Sequence, residues 1–460
     1  MARAIEIVQT EAPPLVLGDE LPSISAAELD ARIAALRDAV DADWIVVYGD
    51  REHAASLIYL TNLDPRFEEA LLVLGPESRT LLLGKEDIGY VPIVPIEVDA
   101  VCVPTFSLMG IDRSDGPTLE RALRDIGCKA GDRVGVVGWK AAQPDEHRLE
   151  VPPIFAPAFF VDTLRAIVGG AKLVIDVTPA LTSPRSGLRT FATADQIAVF
   201  EWGASRCSAW VHAIIDAAAP GVTEREAFRA AGWSGEPLSY HPVFASGEDV
   251  AVGLRSPSSR RLELGDAAVT AIGLWGGNCA RGGVLAASTD DFTSASEGYL
   301  ERLIIPYWRA VATWYETLAV GAPGGEVFDA VTGVLAGEEF HPSLNPGHLV
   351  HYEEWMDSPI RVGSGDPIAS GMVLQCDIIP TGIRAGWTTN CEDTVAIADA
   401  ALREQIATRH PELWARIGAR HAYVRDTLGV QLRDEVLPLS CTNAYLRPLW
   451  LAPTSALAFT

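Results

Sequence analysis

The 460-residue sequence has no apolar run approaching the roughly 18–20 residues that a membrane-spanning helix requires. Its seven cysteines are odd in number and scattered, with no CxxC pair. That argues against a disulfide framework or a zinc knot and fits a reducing compartment. Basic residues are scarce: 36 Lys and Arg stand against 61 Asp and Glu, a formal net charge of −25. Such a surface repels phosphate backbones and anionic lipids, so neither nucleic acid nor membrane is an expected partner, while a cationic or zwitterionic small molecule is compatible. The segment "MARAIEIVQTEAPPLVLGDELP" lacks a basic region followed by a long apolar stretch and does not read as a signal peptide. The sequence shows no internal repeat and no low-complexity tract. These absences lead to the expectation of a soluble cytoplasmic protein.

What is present is the composition of a globular chain, 48% hydrophobic and 21% charged. Its length exceeds what one core usually organises, so two domains are expected. "DWIVVYG" (43–49), "EALLVLG" (69–75) and "RTLLLG" (79–84) are short apolar runs closed by glycine, as buried strands are. "PTLERALRDIGC" places Leu119, Leu123 and Ile126 at helical spacing, and "DRVGVVGW" returns as a strand. This alternation predicts an α/β amino-terminal domain over residues 1–185. Proline, serine and threonine then cluster in "VIDVTPALTSPRSGLRTFAT", the expected boundary. Beyond it, 186–460 reads as an α+β domain. A long helix runs to Pro220-Gly221, and a second begins with Thr223 as N-cap and Glu226 three residues on, a capping box. Strand-rich stretches follow at about 240–285 and 345–395, with helices at about 296–336 and 399–427.

Four stretches resemble the pita-bread superfamily, which includes creatinase, prolidase, aminopeptidase P and methionine aminopeptidase. "LIYLTNLDPRFEEALLVL" (57–74), with "GDRVGVVGW", is similar to the amino-terminal domain of the creatinase branch. "PGVTEREA" is similar to the turn between the first two catalytic-domain helices. "SYHPVFASGEDVAVGLRSPSSRRLELGD" resembles the approach to the first metal-binding aspartate, and "SGMVLQCDIIPTG…WTTNCEDTVAI" the two strands that end the active site. The resemblance implies a creatinase-type α/β domain followed by a pita-bread domain, and a homodimer.

Carried over residue by residue, the family's site is depleted. The substrate-binding histidine falls on Leu254, the two metal aspartates on Ala271 and Gly282. The first metal histidine matches His348 in "NPGHLVHYEEW"; the second, seven residues later, falls on Trp355, or with a gap on His351. The last two acidic ligands correspond to Asp377 and Glu392, the proline after the former to Ile378, and an arginine to Asn390. Two divalent ions in one small site need several anionic oxygens. His348, Asp377 and Glu392 are too few for a dinuclear centre, so no metal is expected, although the three match a single-ion site with open positions.

Strand alternation puts Gln375, Asp377 and Ile379 on one face and Cys376 and Ile378 on the other; Asn390 and Glu392 likewise point together, away from Cys391. Asp377 and Glu392 can therefore converge as an acid–base pair, or serve as a buried strut. Cys376 and Cys391 read as core. His241 is the candidate replacement base for the one lost at Leu254, or else a core histidine. His348 and His351, three apart on an extended segment, face opposite ways, so one of them is structural. Cys279 and Arg281 share a strand face; as a thiol beside a guanidinium they are either substrate-binding or buried packing. The expected catalytic residues are His241, His348, Asp377 and Glu392, with His351, Cys279, Arg281 and Asn390 binding substrate. The expected activity is creatinase-like: metal-independent or single-metal hydrolysis of an amide- or amidine-like C–N bond in a small polar molecule. A non-catalytic binding protein, a lyase and, last, an Xaa-Pro peptidase are the alternatives.

Overall fold

The computed structural model describes residues 3–143 and 145–460, which divide into two compact units: Ile24–Thr190, and Phe191–Thr460 together with the described residues up to Ser23. Strand β1 (Ile5–Gln9) belongs to the second unit, because it pairs along its whole length with the last strand, Ser455–Phe459. The first unit is a six-stranded sheet of β2 (Trp44–Gly49), β3 (Ala70–Leu74), β4 (Arg79–Leu83), β5 (Asp99–Cys102), β6 (Val134–Val137) and β7 (Val174–Asp176), in the spatial order β5-β4-β3-β2-β6-β7. β2 and β3 are apolar at nearly every position and buried throughout, which suits strands covered on both faces. The helix Ala158–Val168 closes one face, packing Phe160, Leu164 and Ile167 with Val46, Tyr48, Val73 and Val136.

The second unit has strands β8 (Val243–Ser246), β9 (Ala267–Leu274), β10 (Gly277–Val284), β11 (His341–Pro342), β12 (His348–Leu349), β13 (Val373–Cys376), β14 (Pro380–Thr381), β15 (Cys391–Ile397), β16 (Val436–Pro438) and β17 (Ser455–Phe459). The main sheet runs β12-β13-β15-β10-β9-β8, antiparallel throughout, with β16 added beside β15. The helix Ala194–Ala217 starts where the Thr193 hydroxyl accepts the Gln196 amide, and it is buried along most of its length. Its Cys207, Val211 and Ile214 share a core with Ile272, Leu274 and Cys279 of the sheet. The capping box of Thr223 and Glu226 is formed.

Register sorts the sheet into two faces. Ala280 stands opposite Ala271 on one side and Glu392 on the other, so Ala271, Asn278, Ala280, Gly282, Glu392 and Thr394 share a face. Cys279, Arg281, Cys391 and Asp393 occupy the other. There Cys376 and Cys391 join the largest apolar core, built around Trp308, Trp314 and Tyr315 of the helix Ile305–Thr317. Among the described residues, no helix is long and apolar enough to cross a membrane.

Candidate active site

Gly347 precedes β12 with φ +132°, and a Cβ there would come within 2.7 Å of the Gln375 carbonyl and of Trp314 Nε1. Glycine therefore lets the chain enter the sheet edge at that point and sets His348 opposite Gln375. The His348 ring is fully buried. Its Nδ1 lies 3.2 Å from the Leu349 carbonyl, an oxygen that only accepts, so Nδ1 is the donor. Nε2 is left as the nitrogen that titrates or ligates.

The chain then turns back on itself. The Leu349 amide donates to the Asp357 carbonyl at 2.7 Å and the Met356 amide to the Leu349 carbonyl at 3.0 Å. The loop between them lays Glu354 and Trp355 over the imidazole. Glu354 Oε1 is 3.1 Å from His348 Nε2, and the Trp355 indole stacks on the ring.

Two further carboxylates approach from the sheet. Asp377 Oδ2 lies 4.0 Å and Glu392 Oε1 3.9 Å from His348 Nε2. Both residues are buried. Asn390 hydrogen-bonds the Asp377 side chain, and Asn278 that of Glu392. Among the described residues, His348 Nε2, Asp377 Oδ1 and Glu392 Oε1 have no aligned hydrogen-bond partner. His348 Nε2 still has the Glu354 carboxylate at 3.1 Å, but the open Asp377 and Glu392 oxygens are unmet bonding, which native interiors rarely tolerate without a ligand, water or ion.

Burial and mutual repulsion set the protonation. Desolvation pushes the Asp377 carboxyl up to about 7, with the Glu354 charge adding to it and His348 opposing it. Glu392 is raised well above the usual carboxylate range by burial, then by the charges of Asp377 and Glu354. For His348, burial favours the neutral ring, yet Glu354 and Asp377 outweigh it and the imidazole is raised. The shifts thus favour the acid form of Glu392 and the charged form of His348 beside Glu354, and they bring Asp377 close to neutrality.

His348 Nε2, a Glu354 oxygen and a Glu392 oxygen all lie within 4.8 Å of one another, a donor set that fits one divalent ion. The trio expected from sequence had Asp377 in place of Glu354. A dinuclear centre does not fit. Ala271 packs in an apolar cluster with Val243, Ala280 and Tyr240. A side chain at Gly282 would meet the Thr389 Cα at 2.4 Å and the Asn390 nitrogen at 2.7 Å, so backbone fills the place of the second aspartate.

The structure brings together His348, Asp377, Glu392 and Asn390, and it separates the other expected site residues from them. His241 is exposed, its Nε2 held 2.8 Å from the Leu254 carbonyl, so it lies outside the cluster. His351 turns its ring edge-on to Phe200 and Tyr352. Cys279 and Arg281 are on the opposite face of the sheet. Arg281 is buried in an ion pair with Asp393 and donates to the Tyr445 carbonyl at 2.8 Å. Burial raises the Cys279 thiol far above its usual range, so it is no thiolate. Sequence reasoning missed Glu354, Asn278 and Tyr240. The Tyr240 hydroxyl donates to the Asn278 side-chain oxygen, and its ring covers the apolar patch at Ala271.

No family model matches the sequence, and no curated protein is significantly similar to it. Solved structures are. An Xaa-Pro dipeptidase from Bacillus anthracis superposes with a TM-score of 0.61 at 14% identity, covering 81% of this chain and 96% of its own. The prolidase from Pyrococcus horikoshii gives 0.59 at 15%, covering 81% and 95%. The X-Pro aminopeptidase from Thermotoga maritima gives 0.58 at 15%, covering 80% and 94%. Nearly the whole of each structure is matched, and with the sheet register above this establishes that the chain has the pita-bread fold of the prolidases and aminopeptidases P.

Proposed function

We propose that the second unit is a creatinase-like hydrolase that cleaves a C–N bond of amide or amidine type in a small polar substrate. The observation that carries this reading is the convergence of two buried carboxyl groups, Asp377 and Glu392, at 4.0 and 3.9 Å from the His348 Nε2 that Glu354 holds, each carboxyl group keeping one oxygen without a partner among the described residues. Paired carboxyl groups whose surroundings push their protonation apart are the elements of acid–base catalysis. Asp377, as carboxylate, accepts a proton from the attacking water; Glu392, as carboxylic acid, gives its proton to the departing nitrogen. Water adds to the carbon, the C–N bond breaks, and the products are an acyl compound and an amine. The imidazolium of His348, held by Glu354, stabilises negative charge developing on the substrate's oxygen or nitrogen. His348, Glu354 and Glu392 would hold a single divalent ion, which when bound supplies Lewis-acid polarisation.

The test is a panel of ureas, amidines, N-acyl amines and guanidino compounds, followed by amine release, with Asp377→Asn and Glu392→Gln as controls. Each variant keeps side-chain shape, so the fold is retained and turnover falls by about 10²–10⁴-fold. Full activity in both variants would sink this reading. The apolar packing at Ala271 also favours a second one, a binding protein without chemistry. Saturable binding of a panel compound, abolished in both variants with no product ever formed, would establish that instead.

A further inference from the structure

The first unit contains a cavity that the proposed reaction does not use. It measures about 600 Å³, within the range of small-molecule pockets. Two kinds of group line it. Phe106 and Phe159 form an aromatic wall, their rings 5.9 Å apart and edge-to-face. Phe67 and Met109 stand at the rim with 54% and 93% of their surfaces in solvent, an unusual exposure for apolar side chains flanking a concavity.

Facing them are carboxylates. Asp50 is committed, taking the Tyr48 hydroxyl at 2.8 Å and the Glu52 and His53 amides at 2.9 and 2.8 Å. Glu68 is not. It is 1% exposed; one oxygen takes the Glu86 and Asp87 amides at 2.9 and 3.0 Å, while the other has no partner among the described residues. A buried carboxylate oxygen without a donor is costly, and it calls for an N–H or O–H. Glu69, half-buried beside it, is raised chiefly by burial and further by the charges of Asp50 and Glu68, partly offset by Arg113. The two cationic side chains of the lining are engaged elsewhere. Arg113 donates to the Ser107 and Leu108 carbonyls, and Arg51 faces its neighbour Glu52 in solvent.

We infer that this cavity binds a small organic cation carrying N–H donors on an apolar body. Its ammonium or guanidinium would meet Glu68 and Glu69, and its body would rest on Phe106 and Phe159. The carboxylates reject anions, the open Glu68 oxygen requires a donor, and aromatic faces attract cations. The chain's net charge of −25 concentrates such ligands near it. This site does not depend on the hydrolytic reading of the second unit.

The experiment is calorimetric titration of phenethylammonium into the full chain, with 2-phenylethanol as the neutral counterpart. Saturable binding at one site is expected, absent for the alcohol and at least about tenfold weaker in Glu69→Gln. Phe67→Ala, at a largely exposed position, leaves the fold intact and also weakens binding, so it decides the matter should Glu69→Gln fail to fold. Glu392→Gln leaves the affinity unchanged, which separates this cavity from the acidic cluster of the second unit. No saturable binding, equal binding of the alcohol, unchanged affinity in Phe67→Ala, or loss in Glu392→Gln would each overturn the assignment.

Discussion

The Trp355 indole lies flat on the His348 imidazole, ring centroids 4.1 Å apart and planes 17° from parallel. Residue 355 is seven positions after His348, where the family's second histidine is expected, and an apolar ring has taken its place. Glu354, one position earlier, supplies the polar contact instead. The stacked ring and the carboxylate act in the same direction, since both favour the charged form of a buried imidazole.

Removing Glu354 isolates that effect. In Glu354→Gln, burial is opposed by Asp377 and the Leu349 carbonyl but no longer by Glu354, and the His348 ring is expected to titrate below its wild-type value. Trp355→Ala is expected to lower it less, while costing about 1–3 kcal/mol of stability through lost packing. Titration of the His348 ring protons by NMR, alongside denaturant unfolding, reads both effects.

Asp377 makes stability depend on pH. Its folded value, about 7, lies above the 3.8 of the free group, so the folded chain holds this proton where the unfolded chain has released it. Stability therefore falls as pH rises from about 4 to 7 and levels off above. Asp377→Asn abolishes this component, so the variant gains on the wild type across that window and keeps the advantage at pH 8. Unfolding midpoints at pH 5 and pH 8, with chelator present, measure it; a constant difference between variant and wild type contradicts the assignment.

Gly282→Asp restores the family's residue on paper only. With the Thr389 Cα 2.4 Å from any Cβ at that position, β10 and the segment before β15 must separate. A loss of several kcal/mol, or failure to fold, is expected, with no gain in metal binding. A stable variant that takes up a second ion would show that the backbone there yields.

Xaa-Pro dipeptides and tripeptides are expected to go uncleaved, with or without manganese or zinc. The family's substrate-gripping histidine is replaced by Leu254, which is 67% exposed with φ +61°, and the first metal aspartate by Ala271 in an apolar cluster. Proline release from such peptides is the measurement, and robust turnover contradicts the expectation.

Much of the fold was legible because periodicity and caps are local signals. "DWIVVYG" and "EALLVLG" became β2 and β3, and Thr223 with Glu226 became the capping box. The pairing of β1 with β17 was not legible, since nothing local joins residues 450 positions apart. In the site, the period of two placed Asp377, Asn390 and Glu392 together. The same rule puts Cys279 and Arg281 opposite Gly282, and hence away from the pocket, a consequence masked by their nearness in sequence to the missing aspartate. Glu354 lies in an irregular loop, where no period tells which way a side chain points. His241 precedes β8 in a similar segment, and its ring is held by a loop carbonyl instead of the cluster.

The central claim is that His348, Glu354, Asp377 and Glu392 form an acid–base site with room for one ion at most. Calorimetric titration of manganese and of zinc into the chelator-stripped chain tests it most directly, read against Glu354→Gln and Glu392→Gln. The account predicts no more than one ion per chain, with any binding weakened in both variants. Two tightly held ions per chain, or one whose affinity neither variant changes, would contradict it.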